Sequence, residues 1–160
     1  MITIRKGVFE TNSSSTHSIV IAREGTQPSA EIEFRIGEYG WENRKLWGPN
    51  EKASYIYTLA CDALGRDVAD DFANLLSPFG INCKFTLKPV FNQGYLDNGY
   101  VDHADDGIDL VNDCLSDGSL LLDLIFNDKS NVVTGNDNNE YKESYYVTPD
   151  CEYKTYFKGN

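Results

Sequence analysis

The stretch Gly48-Pro49-Asn50-Glu51-Lys52-Ala53-Ser54-Tyr55-Ile56-Tyr57-Thr58-Leu59-Ala60-Cys61 lies near the middle of the N-terminal half and decides the fold class. Proline suits the first turn of a helix, where a backbone N–H has no partner within the helix, so we expect a helix to begin at Gly48-Pro49. Apolar and small residues then recur at helical spacing, which predicts an amphipathic helix with one face in the core. These residues are Ala53, Ile56, Tyr57, Ala60, Cys61 and Leu64.

Shorter apolar segments on both sides of this helix complete the predicted fold. Strands are predicted at residues 2–6, 18–22, 31–36, 83–87, 131–133 and 153–157. Further helical patterns cover residues 68–79, 108–115 and 120–126. Interleaved elements of this kind predict an α+β fold, with two to four helices packed on one face of a mostly antiparallel sheet. The sequence has no repeat and no low-complexity linker, so we expect a single globular domain over residues 1–160.

The acidic residues are concentrated in the C-terminal part of the chain. Residues 1–96 contain 11 acidic and 10 basic residues, whereas residues 97–160 contain 14 acidic and 4 basic residues, so nearly all of the net charge of −11 lies there. A negative surface repels phosphates, and we therefore expect no direct nucleic-acid binding. The charge permits a basic partner, a cation or mimicry of nucleic acid. The alternative is an acidic surface that only keeps the protein soluble.

Several features bear on where the protein is found. The sequence lacks an apolar run of roughly 18 residues, the length needed to span a bilayer. Met1 leads directly into strand-like sequence without a signal-peptide core, so we expect a soluble, cytoplasmic protein with no membrane contact. Four cysteines occur without a C-x-x-C pair, and we interpret them as reduced, structural residues.

Three polar segments, residues 10–18, 99–106 and 134–140, are predicted as loops that follow or flank strands. The first contains six hydroxyl side chains and His17, which could supply a nucleophile with its base or a cradle for a phosphate. Serine, threonine and asparagine are also ordinary turn residues, so a purely structural turn is the alternative.

The second and third segments carry further candidates. Asp102 and His103 are adjacent, and in a strand their side chains would point to opposite faces. If His103 points toward the same edge as His17, the two histidines and Asp137 could form a metal site or an acid–base set. A surface histidine, or one whose hydrogen bonds are satisfied, is the alternative. The sequence identifies neither a particular metal nor a cofactor.

Three motifs resemble a group of phage and prophage proteins to which no activity is assigned. They are Gly7-Val8-Phe9-Glu10-Thr11-Asn12-Ser13-Ser14-Ser15-Thr16-His17-Ser18, Gly99-Tyr100-Val101-Asp102-His103 and Thr134-Gly135-Asn136-Asp137-Asn138. Together they cover about a seventh of the chain. The resemblance implies a mobile-element origin, a setting in the host-cell cytoplasm and an accessory role.

Two functional hypotheses follow from these observations. In the first, the protein is a small hydrolase or transferase that acts on a phosphate-containing or amide substrate. A serine of the first segment would bind or attack the substrate and His17 would be the general base. The catalytic candidates are Ser13, Ser14, Ser15, His17, Asp102, His103 and Asp137. The substrate-binding candidates are Thr11, Asn12, Thr16, Asn136 and Asn138.

In the second hypothesis, the protein is a non-enzymatic acidic inhibitor of a host defence factor. Its C-terminal half would occupy a basic, nucleic-acid-binding surface of a partner such as a defence nuclease, as a nucleic-acid mimic of the anti-CRISPR type does. The partner-binding candidates are Asp105, Asp106, Asp109, Asp113 and Asp117. In this hypothesis the histidine-containing segments only support the fold.

Overall fold

A computed structural model describes residues 15–136 and 151–158 of the chain. The strands in these residues are β1 (Ser15–Ala22), β2 (Glu31–Arg35), β3 (Glu38–Tyr39), β4 (Arg44–Leu46), β5 (Asn82–Leu87), β6 (Phe91–Asn92), β7 (Tyr95–Leu96), β8 (Tyr100–Val101), β9 (Asn131–Asn136) and β10 (Tyr153–Lys158). The helices are α1 (Pro49–Leu64), α2 (Ala69–Leu76), α3 (Ile108–Ser116) and α4 (Gly118–Phe126). Two 3₁₀ turns span Ser77–Phe79 and Ala104–Gly107.

The largest sheet is antiparallel, has the strand order β10-β1-β9-β4 and has β1 inside it. All eight residues of β1 are buried. Two of the smaller pairs, β2 with β5 and β3 with β8, are parallel, and β6 pairs with β7 antiparallel. The connection from β2 to β5 includes α1 and α2, since parallel strands need a long crossover. The predicted α+β fold is confirmed, with a mostly antiparallel main sheet.

Helix α1 is the central helix of the fold and begins at Pro49 as the sequence predicts. The Gly48 backbone N–H donates to Glu51 Oε1 over 3.1 Å, and Gly65 ends the helix in a left-handed conformation with φ of 68°. The sequence predicts one buried face, but Lys52 to Cys61 are all buried. The reason is that α1 packs against β2, β8, α3 and α4.

Polar residues of α1 are buried because their side chains bond the backbone of neighbouring segments. Ser54 Oγ accepts a hydrogen bond from the Arg35 backbone N–H over 3.0 Å. Thr58 Oγ1 accepts one from the Gly37 backbone N–H over 3.1 Å. These bonds fasten the segment between β2 and β3 to the helix, and this segment leads into the turn that contacts the candidate site.

All three segments predicted as loops are partly strand, and the second of them, residues 99–106, contains β8. Residues 15–18 belong to β1 and residues 134–136 belong to β9, and the two pair with each other. Their polar side chains remain compatible with a buried sheet because they find partners: Thr134 Oγ1 donates to the Glu42 carbonyl over 2.7 Å, and Asn136 Nδ2 donates to the Trp41 carbonyl over 2.9 Å. The predicted strand at residues 2–6 lies outside the described residues. In the part of the chain that the structure describes, every helix is too short or too polar to cross a bilayer.

Candidate functional site

Pairing in the main sheet brings the first and third polar segments together. Ser15 lies opposite Asn136, Thr16 opposite Gly135, and His17 opposite Thr134. On its other side β1 pairs with β10, and there His17 lies opposite Lys158.

The second polar segment reaches the same end of the sheet from β8. The Asp102 backbone N–H donates to the Tyr39 carbonyl over 2.9 Å, which fixes the segment beside β3. The Asp102 carbonyl in turn accepts a hydrogen bond from Lys158 Nζ. We call the meeting point of these segments the polar junction and define it as Ser15, His17, Tyr55, Asp102 and Lys158.

His17 is fully buried in the polar junction and both of its ring nitrogens have partners. Nε2 lies 2.9 Å from the Gly40 carbonyl and Nδ1 lies 2.8 Å from the Tyr55 hydroxyl. A carbonyl only accepts, so the ring proton is assigned to Nε2 and Nδ1 accepts from Tyr55.

Burial, with a smaller contribution from the charge of Lys158, lowers the pKa of His17 to about 3. The imidazole is therefore neutral near pH 7, and its one basic lone pair is occupied by the hydroxyl of Tyr55. This bonding suits a residue that holds the turn at Gly40 against α1.

Lys158 is a buried lysine at the end of β10, with only 2% of its surface exposed. Its Nζ donates to the Asp102 carbonyl and lies 3.4 Å from Ser15 Oγ, and Ser15 is fully buried. Burial lowers the pKa of Lys158 to about 8, although the carboxylates of Asp102 and Asp106 act in the opposite direction. At a neutral or mildly alkaline pH, part of the population therefore carries an uncharged amine next to a serine hydroxyl.

The sequence-based candidates did not include Lys158, because the last strand was predicted to end at Phe157. The alternation of side chains along a strand could have identified Lys158 as a buried residue. Tyr156 is half-buried and Lys158 is two residues further on, so both side chains point to the same face of β10. Tyr55 and Gly40 were also missed, since only the tertiary fold brings them to His17.

Asp102 is buried with 2% of its surface exposed, and among the described residues its Oδ1 atom has no hydrogen-bond partner. The nearby Trp41 Nε1 is another buried atom without a partner in the same part of the chain. Gly40 directly precedes Trp41 and lies close to Asp102, as a Cβ added to it would be 3.8 Å from Asp102 Cβ. Asp102 thus brings to the polar junction a buried acceptor that could bind a donor group of a ligand.

The remaining sequence candidates divide into those that the structure places near the junction and those that it does not describe. Thr16 is buried in β1, Asn136 bonds the Trp41 carbonyl, and His103 has φ of 53° at the start of the second 3₁₀ turn. The candidates outside the described residues are Thr11, Asn12, Ser13, Ser14, Asp137 and Asn138.

Some of the acidic candidates for partner binding have exposed side chains, and others form hydrogen bonds or ion pairs within the chain. Asp105, Asp106 and Asp109 are exposed. Asp113 accepts from the Tyr156 hydroxyl over 2.6 Å and pairs with Lys154 at 3.3 Å.

Asp117 is the N-cap of α4, where it accepts from the backbone N–H groups of Ser119 and Leu120. The hydrogen bond from the Ser119 hydroxyl, together with these backbone hydrogen bonds, lowers the pKa of the Asp117 carboxyl. Asp113 and Asp117 thus stabilise the fold through contacts within the chain.

In residues 15–136 and 151–158, no three histidine, cysteine or acidic side chains are arranged to hold a metal ion. The four thiols are free, and those of Cys61 and Cys114 are buried. Comparisons with protein-family models, curated proteins and solved structures find no match to this chain. The geometry of the polar junction is therefore the basis for any functional assignment.

Proposed function

We propose that the protein is a small hydrolase or transferase that acts on a carbonyl substrate such as an amide, with Ser15 as the nucleophile and Lys158 as the general base. The observation that carries this proposal is the 3.4 Å approach of Lys158 Nζ to Ser15 Oγ in a buried setting. Pairs of serine and lysine perform the same chemistry as serine and histidine in unrelated hydrolases. Lysine is the better candidate for the base here, because the lone pair of His17 is already occupied.

The surroundings of Lys158 suit a base. Burial lowers its pKa to about 8, so a useful fraction of the amine is uncharged near neutral pH. The Asp102 carbonyl accepts a hydrogen bond from the amine and orients the nitrogen, so that its lone pair can face Ser15 Oγ. His17 and Tyr55 are positioning residues in this proposal, since they hold β1 and the Gly40 turn in place.

The reaction would proceed in two balanced steps. In the first, Ser15 Oγ bonds to the carbonyl carbon while its proton moves to Lys158 Nζ, and the resulting ammonium protonates the leaving amine as the amide bond breaks. In the second, water or another acceptor attacks the acyl-serine while Lys158 takes its proton, and the proton then returns to Ser15 Oγ. Hydrolysis or group transfer results, depending on the acceptor.

The proposal is tested by labelling the serine with a fluorophosphonate probe and mapping the labelled peptide by mass spectrometry. We expect the wild-type protein to be labelled at Ser15, and Ser15→Ala and Lys158→Met to lose labelling. Ser116→Ala and Lys154→Met are the matched controls, since both side chains lie in exposed parts of the fold. Thermal unfolding of each variant separates loss of labelling from loss of structure. An unlabelled wild-type protein, or labelling that persists in Ser15→Ala, would overturn the proposal.

A second candidate function is supported by one observation, the exposure of Asp105, Asp106 and Asp109. Within the described residues, none of these three carboxylates forms a salt bridge, so they are available to a basic surface. On this proposal the protein inhibits a host nuclease by mimicking nucleic acid.

The test of this second candidate is DNA cleavage by purified RNA-guided nucleases, with the protein added at low and at high salt. Inhibition that disappears at high salt and in a triple lysine variant of these aspartates would support it. Asp70→Lys, a change at an exposed acid on α2, is the control. Cleavage that continues unchanged across the panel would count against it.

A further inference from the structure

Lys158 approaches Ser15, and it also borders a cavity. The cavity has a volume of about 70 Å³ and lies between the end of β10 and α3. Ile19, Leu59 and Leu110 form its apolar walls, and Asp106 and Asp109 contribute carboxylates. The lysine whose amine approaches the serine hydroxyl is therefore also a lining residue of the cavity.

The close approach of the second 3₁₀ turn to α1 shapes this cavity. A Cβ added to Gly107 would lie 2.9 Å from Leu59 Cδ1, so glycine lets the turn pack closely without displacing the Leu59 side chain. Asp106 and Asp109 lie one residue before and two residues after Gly107, and both line the cavity together with Lys158.

The volume limits what the cavity can hold. A dry cavity of roughly 150 Å³ accommodates benzene, so a cavity half that size accommodates about three non-hydrogen atoms. A branched or aromatic group is too large for it. A methylene or methyl group with one attached polar atom fits.

The two carboxylates determine which polar atom is favoured. Both Asp106 and Asp109 are exposed at the cavity and lack a salt bridge within the described part of the chain. An ammonium group entering the cavity would gain both as partners, whereas a neutral or anionic group would not. The approach of a cation also favours the uncharged form of the neighbouring lysine amine, which is the form required for catalysis.

We propose that this cavity is the acyl-group subsite of the enzyme and that it selects a short acyl group bearing a primary ammonium, such as glycyl or alanyl. This inference rests on the proposed function of Ser15 and Lys158. It adds the substrate class, an aminoacyl amide or ester with a small side chain. Bulky aminoacyl groups are excluded by the walls at Ile19, Leu59 and Leu110.

The first experiment compares hydrolysis of the p-nitroanilides of glycine, leucine and acetic acid. We expect the highest kcat/KM for the glycine compound. Asp109→Asn should lower the ratio of kcat/KM for the glycine compound to kcat/KM for the acetyl compound by about fivefold, the value of one partly exposed ion pair. Asp105→Asn is the matched control, because this neighbouring aspartate is exposed but does not line the cavity. Equal rates for the glycine and acetyl compounds would overturn the subsite and leave the proposed function intact.

The second experiment measures binding in Ser15→Ala, which cannot turn substrate over. Glycinamide should shift the NMR signals of the Ile19, Leu59 and Leu110 methyl groups, and leucinamide should not. If glycinamide binds but the wild-type protein hydrolyses none of the anilides, the ammonium subsite stands and the proposed catalytic function is overturned. If glycinamide does not shift these signals, the subsite is overturned whatever the activity.

Discussion

At the scale of single residues, His17 couples the stability of the fold to pH. Its pKa is about 3 in the folded protein and 6.5 when unfolded, so the unfolded state binds more protons between these values. The contribution of the neutral, buried His17 to the free energy of unfolding is complete above about pH 6.5 and is lost as the pH falls toward 3. We expect the free energy of unfolding to drop by about 1.4 kcal/mol for each pH unit below 6.5.

Urea unfolding between about pH 5 and pH 7 measures this slope before most carboxylates begin to titrate. In His17→Gln the contribution should vanish, whereas His103→Gln should retain it, because His103 is only half-buried. A wild-type slope that persists unchanged in His17→Gln would assign the acid sensitivity to other groups.

The lowered pKa of Lys158 leads to a prediction about activity rather than stability. Because its pKa is lowered to about 8, the uncharged amine is the minor form at pH 7 and the major form above pH 8. In the proposed mechanism, kcat/KM should therefore rise about tenfold per pH unit up to pH 8 and level off above it. The measurement is a pH–rate profile of the best anilide substrate. A profile that levels off near pH 6 would point to a histidine or carboxylate as the base.

At the scale of secondary-structure elements, Lys52 joins α1 to the loop between α4 and β9. Its buried Nζ donates to the carbonyls of Asn127 over 2.7 Å and Ser130 over 2.9 Å. Lys52→Met leaves both buried carbonyls without this donor, so we expect a loss of about 1–3 kcal/mol of unfolding free energy at pH 7. Denaturant unfolding measures the loss. Lys88→Met, at an exposed position, should unfold like the wild type.

The same lysine adds a dependence on alkaline pH. Burial lowers the pKa of Lys52 from 10.5 to about 8, so between these values the unfolded state binds more protons and stability rises with pH. Below about pH 8 the folded state bears the whole cost of burying a charged amine. In Lys52→Met, the increase in stability from pH 8 to pH 10 should be smaller than in the wild type.

Local sequence signals determine the elements that could be predicted. The start of α1 at Pro49 and its helical spacing depend on residues within a few positions of one another, and the structure agrees with that prediction. Residues 15–18 and 134–136 have turn-like composition, but their hydrogen bonds to distant backbone groups make them strand. No local pattern reports such partners, which is why these parts of the sheet were predicted as loops.

The candidate site could be predicted only in part for the same reason. Polar composition drew attention to Ser15, His17 and Asp102, which the fold brings to one end of the sheet. The role of His17 depends on Tyr55 and Gly40, which are 38 and 23 residues away along the chain. The pairing of Ser15 with Lys158 spans 143 residues, so only the fold reveals a lysine as the candidate base.

At the scale of the whole molecule, the polar junction lies where β1 meets β10, the outermost strand of the main sheet among residues 15–136 and 151–158. Within these described residues, β1 pairs with neighbours on both sides, whereas β10 pairs with β1 alone. Backbone amides of a central, buried strand open only with extensive unfolding, whereas those of an edge strand open by local fluctuation. Fluctuation of β10 would separate Lys158 from Ser15 while the rest of the sheet remains folded.

Hydrogen exchange measured residue by residue tests whether β10 opens more readily than β1. We expect the slowest exchange for Ile19, Val20 and Ile21 in β1, and faster exchange for the amides of β10, at a rate that denaturant hardly changes. Glycinamide bound beside Lys158 should slow exchange in β10 and leave β1 unaffected, since a ligand stabilises the element that it contacts. Equal exchange in the two strands would mean that they open together in one unfolding reaction. In that case Lys158 would separate from Ser15 only when the whole sheet unfolds.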